Sequence, residues 1–274
     1  MIKAKTILMA IALAGLFSAP ANASGTAGVE PKFSDWTFGG LFGTYDEHQL
    51  QRGFQVFREV CAACHSANLI SFRNLSEEGG LNYSESQVKA LAAEYTIADP
   101  ASLDGERSGI PADRWPAPFA TEQDARDANN GALPPDFSVL AKARTVQRPG
   151  LGWIMNYFIA YQEGGPDYVY NLMTNYAEAP HDVEIPAGQY YNAFFGGGIA
   201  MAPPLADGLV TYDDASVPMT TEQYAKDVSA FMMWMAEPHL IARKELGFKV
   251  LIILSAFAVL MYLTKRKLWS NVKH

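Results

Sequence analysis

The only two cysteines in the chain stand three positions apart, and a histidine follows the second: Cys61-Ala62-Ala63-Cys64-His65. No other feature constrains the fold as tightly. Cys-x-x-Cys-His is the attachment pattern for a c-type haem. Two thioethers must reach the two vinyl groups on one edge of a porphyrin, and the adjacent imidazole then lies under the iron. Other uses of such a pair fit less well. A thioredoxin-like redox pair sits near a βαβ pattern, and none surrounds residue 61. A zinc site needs four ligands, usually with a second Cys/His pair at short spacing, and no further cysteine exists. A plain disulfide has no use for the histidine. One motif means one haem, because His48, His181, His239 and His274 have no cysteine beside them.

The ends of the chain set the compartment. Residues 1–23 read as a signal peptide: a basic start with Lys3 and Lys5, an apolar run from Thr6 to Phe17, and the small-x-small site Ala21-Asn22-Ala23. That run is too short to span a bilayer core of about 30 Å. The second apolar run, Leu246 to Leu263, holds one charge, Lys249, and is followed at once by Lys265-Arg266-Lys267. At 1.5 Å per residue it covers about 27 Å, enough for one transmembrane helix, with Lys249 snorkelling to the nearer interface. The basic cluster should stay cytoplasmic, which puts the bulk of the chain on the other side. The signal peptide requires the same orientation independently. The expected organisation is therefore a signal peptide over 1–23, an exported haem domain over 24–240, and a membrane anchor with a short basic tail over 241–274. From Ser24 to Leu240 the chain carries 28 acidic and 12 basic residues. A domain this acidic repels nucleic acid and attracts basic partners.

An electron-transfer haem usually takes methionine opposite its histidine, which raises the reduction potential. Met155 and Met173 fall in apolar, helix-like runs. Met232, Met233 and Met235 belong to an apolar helical stretch, and Met261 lies in the membrane run. Met201 and Met219 remain. Met201 stands in Gly196-Gly197-Gly198-Ile199-Ala200-Met201-Ala202-Pro203-Pro204-Leu205. The glycines there let backbone approach a flat cofactor, and the prolines hold the following chain extended. Met219 has a polar, turn-like setting. Context favours Met201 and leaves Met219 as the alternative.

Between these points, Asp46 should cap a helix running to about Cys64, with Leu50, Phe54, Phe57, Cys61 and Cys64 on one face. The haem then hangs from the end of an amphipathic helix. Ser84 and Gln87 form a capping-box pattern for a second helix. Residues 99–149 read mainly as loop. A helix is predicted over Pro166–Tyr176, an irregular stretch over 180–217, and a last exported helix over Thr221–Glu237, stopped at Pro238.

Several segments together resemble the cytochrome c1 family, the haem-bearing subunits of the ubiquinol–cytochrome c oxidoreductase (cytochrome bc1) complex. They are Phe42-Gly43-Thr44-Tyr45-Asp46, Gln49-Leu50-Gln51-Arg52-Gly53, Glu59-Val60-Cys61-Ala62-Ala63-Cys64-His65-Ser66, Ala128-Asn129-Asn130-Gly131-Ala132-Leu133-Pro134-Pro135-Asp136, and Ala200-Met201-Ala202-Pro203-Pro204-Leu205, followed by the single C-terminal anchor. The resemblance runs from about Phe33 to the C-terminus. It implies a mainly α, cytochrome-c-like haem domain with long loop insertions, in which the helices at 46–64 and 221–237 cross as the terminal pair. It implies one covalently attached haem c on Cys61 and Cys64, with His65 and Met201 as axial ligands. Arg144 aligns with a family arginine that pairs with a haem propionate. The implied partners are cytochrome b, a Rieske iron–sulfur protein as electron donor, and cytochrome c as acceptor. The implied location is a bacterial inner membrane, with the haem domain periplasmic and the C-terminus cytoplasmic. The subunit would carry electrons within an oxidoreductase and do no substrate chemistry of its own. Some family members carry an extra cysteine pair that this chain lacks. A different anchored monohaem cytochrome would share the ligands but lack the Asn-Asn-Gly-Ala-Leu-Pro-Pro-Asp segment. A haem peroxidase would need an open iron site, against which Met201 argues.

Overall fold

The computed structural model describes residues 28–146, 156 and 163–270. Residues 1–23, expected to be a signal peptide, and Met155 lie outside the described residues.

Helix α1, Glu47–Glu59, starts where Asp46 accepts a hydrogen bond from the Gln49 amide at 2.8 Å, satisfying one of the donors left open at a helix start. Its inward face carries Leu50, Gly53, Phe54, Val56 and Phe57. The α-helix stops at Glu59, short of the predicted Cys64. The haem motif itself forms a tighter 3-10 turn, Cys61–Ala63, because the amides of Cys64 and His65 both converge on the Cys61 carbonyl, at 3.1 and 2.9 Å.

The partner of α1 is the helix Thr221–Ala236, capped by Thr220. The two pack at van der Waals range along a seam centred on Gly53. A Cβ placed there would lie 2.1 Å from the Asp227 carbonyl oxygen. Phe54 and Phe57 both meet Phe231, with ring centroids 5.6 and 5.4 Å apart. Beside this contact the fully buried Asp227 carboxylate accepts from Arg52 Nε at 2.9 Å, Gln223 Nε2 at 2.9 Å, Tyr212 hydroxyl at 3.0 Å and Gln49 Nε2 at 3.3 Å. A buried carboxylate without such donors would cost several kcal/mol. The network therefore ties α1, the Thr221–Ala236 helix and the 212 loop to one point.

The remaining elements surround this pair. Helix α2, Glu85–Ala93, carries the capping box read from Ser84 and Gln87. The 99–149 region is less loop-like than predicted. Strands β1, Thr96–Ala98, and β2, Glu106–Ser108, form an antiparallel hairpin with Ile97 opposite Arg107. Helix α3, Glu122–Ala128, follows a Thr121–Asp124 capping box, and α4, Leu140–Ala143, is a single turn. Helix α5 spans Gly164–Thr174, beginning two residues before the predicted Pro166. A Cβ on Gly165 would sit 1.6 Å from the Ala141 carbonyl oxygen, so α4 and α5 touch through backbone. The irregular 180–217 stretch contains a second antiparallel hairpin, β3 Tyr190–Asn192 and β4 Gly197–Ile199. In chain order the Thr221–Ala236 helix is α6.

After Glu237, Pro238 and His239, helix α7 runs from Leu240 to Trp269. Its 30 residues include a window of mean hydropathy 2.3, none of it buried against the rest of the chain. It extends beyond the predicted 246–263 at both ends. At about 45 Å it is longer than a bilayer core is thick. The architecture is mainly α with short hairpins and one candidate membrane span, as expected.

Candidate functional site

The haem motif turns outward from the α1–α6 core. Cys61 and Ala62 pack against that core, Cys64 is exposed, and the two thiols are not joined to each other. Burial pushes the Cys61 thiol up to about 12, and the neighbouring Cys64 adds to the effect. A redox-active Cys-x-x-Cys needs the opposite, a thiolate favoured at neutral pH. The Cys61 thiol therefore lacks the lowered pKa of an attacking thiolate.

His65 is the one buried histidine among the described residues. Its Nδ1 lies 2.9 Å from the Pro135 carbonyl oxygen. A carbonyl can only accept, so Nδ1 carries the proton and Nε2 keeps a free lone pair, the state required of a metal-ligating imidazole. The ring stacks on Phe137 at 4.1 Å between centroids and 25° between planes. Burial lowers the His65 pKa, opposed by the Pro135 contact and by Asp136, so the neutral ring is favoured. The charge beside it is managed by the same segment. Asp136 accepts from the Ser66 hydroxyl and the Asn68 amide, each at 2.8 Å, and from the Ser138 amide at 2.8 Å. Burial disfavours that carboxylate's charged form, yet these donors outweigh it and hold its pKa below the ordinary value. The Phe137 amide closes the junction by donating to the Ser66 carbonyl at 2.8 Å. Residues 135–138 thus form a bracket on both sides of His65.

Among the described residues Met173, Met232, Met233, Met235 and Met261 lie where expected, whereas Met219 leaves its expected polar turn setting for the core. Met232, Met233 and Met235 are buried in α6, Met173 packs against the core, and Met261 is exposed on α7. Met219 also packs against the core, and its carbonyl accepts from the Gly208 amide at 2.8 Å. Met201 stands half-exposed outside that cluster, on the loop after β4. Tyr176 holds the start of the loop by donating to the Met201 carbonyl at 3.1 Å, and buried Leu205 holds its end. Two of the glycines before it are needed by the hairpin. Gly196 turns the chain at φ +74°, and a Cβ on Gly198 would lie 2.6 Å from Gln189 Oε1. Arg144 is exposed at the end of α4, where no carboxylate among the described residues pairs with it. Its helix is tied back to the core by an ion pair between Lys142 and Glu237.

Sequence reasoning missed Phe137, read Tyr176 only as the end of a helix, and read Pro135 and Asp136 only as family markers. A local signal was present in the Asp136-Phe137-Ser138 turn, whose side chain returns to the backbone two residues on. Nothing local pointed from it to His65, 70 positions away. The donor set fits a covalent haem: two thiols on one tight turn, one buried imidazole of fixed tautomer, and one thioether outside the core. Among the described residues no cluster of three or more His, Cys, Asp or Glu could hold a bare metal ion instead.

The known proteins most informative for comparison agree. The chain is 51% identical over 248 residues to a cytochrome b/c1 of Bradyrhizobium diazoefficiens; the match covers 88% of this chain but spans only 36% of that protein's length. It is 44% identical to a cytochrome c1 of Blastochloris viridis, covering 93% of this chain and 92% of that one. With a cytochrome c1 of Rhodospirillum rubrum the identity is 40%, over 97% and 95% of the two chains. The sequence model of the Cytochrome C1 family matches residues 36–272, from Trp36 in the packed N-terminal segment, through the His65 bracket and the Met201 loop, to beyond the end of α7; the chain belongs to the cytochrome C1 family of electron-transfer haem proteins.

Proposed function

We propose that this chain receives electrons from a Rieske iron–sulfur protein and delivers them to a cytochrome c, beside a cytochrome b, through one haem c held by Cys61 and Cys64. The chain is a haem subunit of the cytochrome bc1 complex. In this reading His65 and Met201 would hold the haem iron. The observation that carries it is the Nδ1–H of His65 donating to Pro135, which leaves Nε2 as the only free lone pair on a buried ring.

The bound haem supplies one-electron oxidation and reduction. The chain supplies everything else. Cys61 and Cys64 make the attachment covalent. Pro135 and Phe137 fix the plane of the His65 ring, and Asp136 fixes the bracket. Tyr176 and Leu205 set the position of the Met201 backbone. Arg144 offers a charge-assisted partner for a propionate. An apolar ring cluster of Phe57, Trp115, Phe137 and Phe231 lies behind the motif. A dry, weakly polar surround raises a haem's potential by disfavouring the extra positive charge of its ferric state. No side chain has to move a proton. The oxidoreductase activity belongs to the whole complex, and this subunit performs no substrate chemistry of its own.

The same reading puts 1–23 as an export signal, 24–240 in the periplasm, and the basic end of α7 in the cytoplasm of a bacterial inner membrane. The acidic surface then faces a basic acceptor. Steering of that kind raises association rates by roughly 10- to 1000-fold and fades as salt shortens the Debye length to about 8 Å. Solubilising the protein in mild detergent and isolating it with its partners tests the assignment. A b-type cytochrome and an iron–sulfur protein should accompany it, and electron transfer to a basic cytochrome c should slow steeply from low to physiological salt. Isolation without either partner would overturn the assignment, and a salt-independent rate would rule out steering.

A further inference from the structure

Ten consecutive residues, Trp36 to Tyr45, carry no charge in an otherwise strongly acidic domain. They form a closed loop. The Thr44 amide donates to the Thr37 carbonyl at 3.0 Å, and Gly40 takes a positive φ of +65° with its amide on Glu163 Oε1 at 3.1 Å. Trp36, Phe38 and Tyr45 point into the core, at 7%, 2% and 8% exposure. The tip does the reverse. Leu41 is 58% exposed and Phe42 is 74% exposed, two large apolar side chains side by side.

This tip is fastened to the membrane helix at two levels. Lys244 Nζ donates to the carbonyls of Phe38 at 2.7 Å and Gly43 at 3.2 Å, gripping both arms of the loop. One helical turn further along the same face, Phe248 meets the Phe42 ring edge-on, with centroids 5.6 Å apart. Phe248 stands inside the apolar stretch of α7. From it to Lys265 the helix runs about 26 Å, which places Phe248 just within a hydrocarbon layer of about 30 Å. Whatever surrounds Phe248 therefore surrounds Phe42 also.

We propose that the Leu41-Phe42 tip is a lipid-contacting wedge: it enters the membrane interface beside α7 and seats the haem domain at a defined height and rotation on the bilayer. The occupant is the acyl boundary of the leaflet. Leu240 and Ile241 already pack the start of α7 on the core, and a second apolar contact with the bilayer beside it further restricts tilt of the domain. The absence of charge over 36–45 suits the interface, because an anionic tip would be repelled by lipid headgroups and could not be desolvated.

The test uses the intact complex reconstituted in phosphatidylcholine nanodiscs. Phe42→p-benzoylphenylalanine and, separately, Leu41→p-benzoylphenylalanine place a photoreactive ketone at the tip without introducing charge. The same substitution at Leu103, fully exposed in the β1–β2 hairpin loop, is the aqueous control. Irradiation followed by mass spectrometry should find acyl-chain adducts at positions 41 and 42 several-fold above those at 103. Lipid adducts no more frequent than at 103 would place the tip in water and overturn the proposal. Adducts confined to another subunit would overturn it too, by making the tip a protein contact.

Discussion

Gly53→Ala sets two effects of opposite sign against each other on the helix that carries the haem motif. Alanine is the better helix former by about 1 kcal/mol, so propensity alone stabilises. The added methyl, however, would lie 2.1 Å from the Asp227 carbonyl oxygen, 2.7 Å from its carbon and 2.8 Å from Phe231 Cβ, where ordinary contact begins at 3.4 Å. Two of those three atoms are backbone of α6, which cannot rotate aside. Helices α1 and α6 must therefore separate by roughly 1 Å, a case of overpacking that costs about 1–3 kcal/mol. The same displacement stretches the donors on buried Asp227, and hydrogen bonds to a charged group contribute about 1.5–3 kcal/mol each. The net expectation is a loss of about 2 kcal/mol. For a domain of this size that lowers Tm by roughly 4–8 °C. Thermal unfolding of the haem-loaded protein, followed by far-ultraviolet circular dichroism, reads it directly. An unchanged or raised Tm would refute the backbone contact and leave propensity as the only effect.

Asp136→Asn should loosen the bracket around His65, because its NH2 must face either the Ser66 hydroxyl and Asn68 amide or the Ser138 amide, where an acceptor is needed. The loss should be about 1.5–3 kcal/mol at neutral pH. Since the folded-state pKa of Asp136 is lowered, its contribution is fully present above the ordinary carboxylate value near 4 and is lost as pH falls through the lowered one. The gap between parent and variant in denaturant titrations should therefore close in acid; a gap constant with pH would show that the charge plays no part. A chain ending at His239 should be processed, haem-loaded and soluble, because the motif and the Met201 loop lie upstream. Two side chains at a loop tip hold a membrane no better than one acyl chain, whose binding is marginal. Recovery of the shortened chain only with membranes would mean that other surfaces retain it.

What could be read from the residues was what short-range chemistry encodes. The Asp46 cap, the Ser84–Gln87 box, the apolar face of α6 and the apolar run of α7 all depend on spacings of a few residues, and each marks a helix where it was expected. The Thr121–Asp124 box carries the same signal and was passed over within a stretch rich in proline, glycine and asparagine. The end of α1 escaped for a different reason. Hydrophobic periodicity continues through Cys61 and Cys64 while the hydrogen bonds tighten from i→i+4 to i→i+3, and periodicity does not register that change over one turn. The long-range features were not legible. The stacking of Phe137 on His65, the grip of Tyr176 on Met201 and the convergence on Asp227 join segments far apart in the chain, without composition or spacing to mark them. Arg144 was reached only through family resemblance, and its exposed position is compatible with the role proposed for it.

The central claim is that His65 and Met201 hold the iron of a haem anchored by Cys61 and Cys64. Met201→Ala in the full-length protein tests it most directly, through the reduction potential and the sulfur-to-iron charge-transfer absorption of the ferric form. The account predicts that the haem stays covalently attached, the potential falls by a large margin and the absorption band disappears. A variant that kept both its potential and the band would show that Met201 is not the ligand, and would turn attention to Met219.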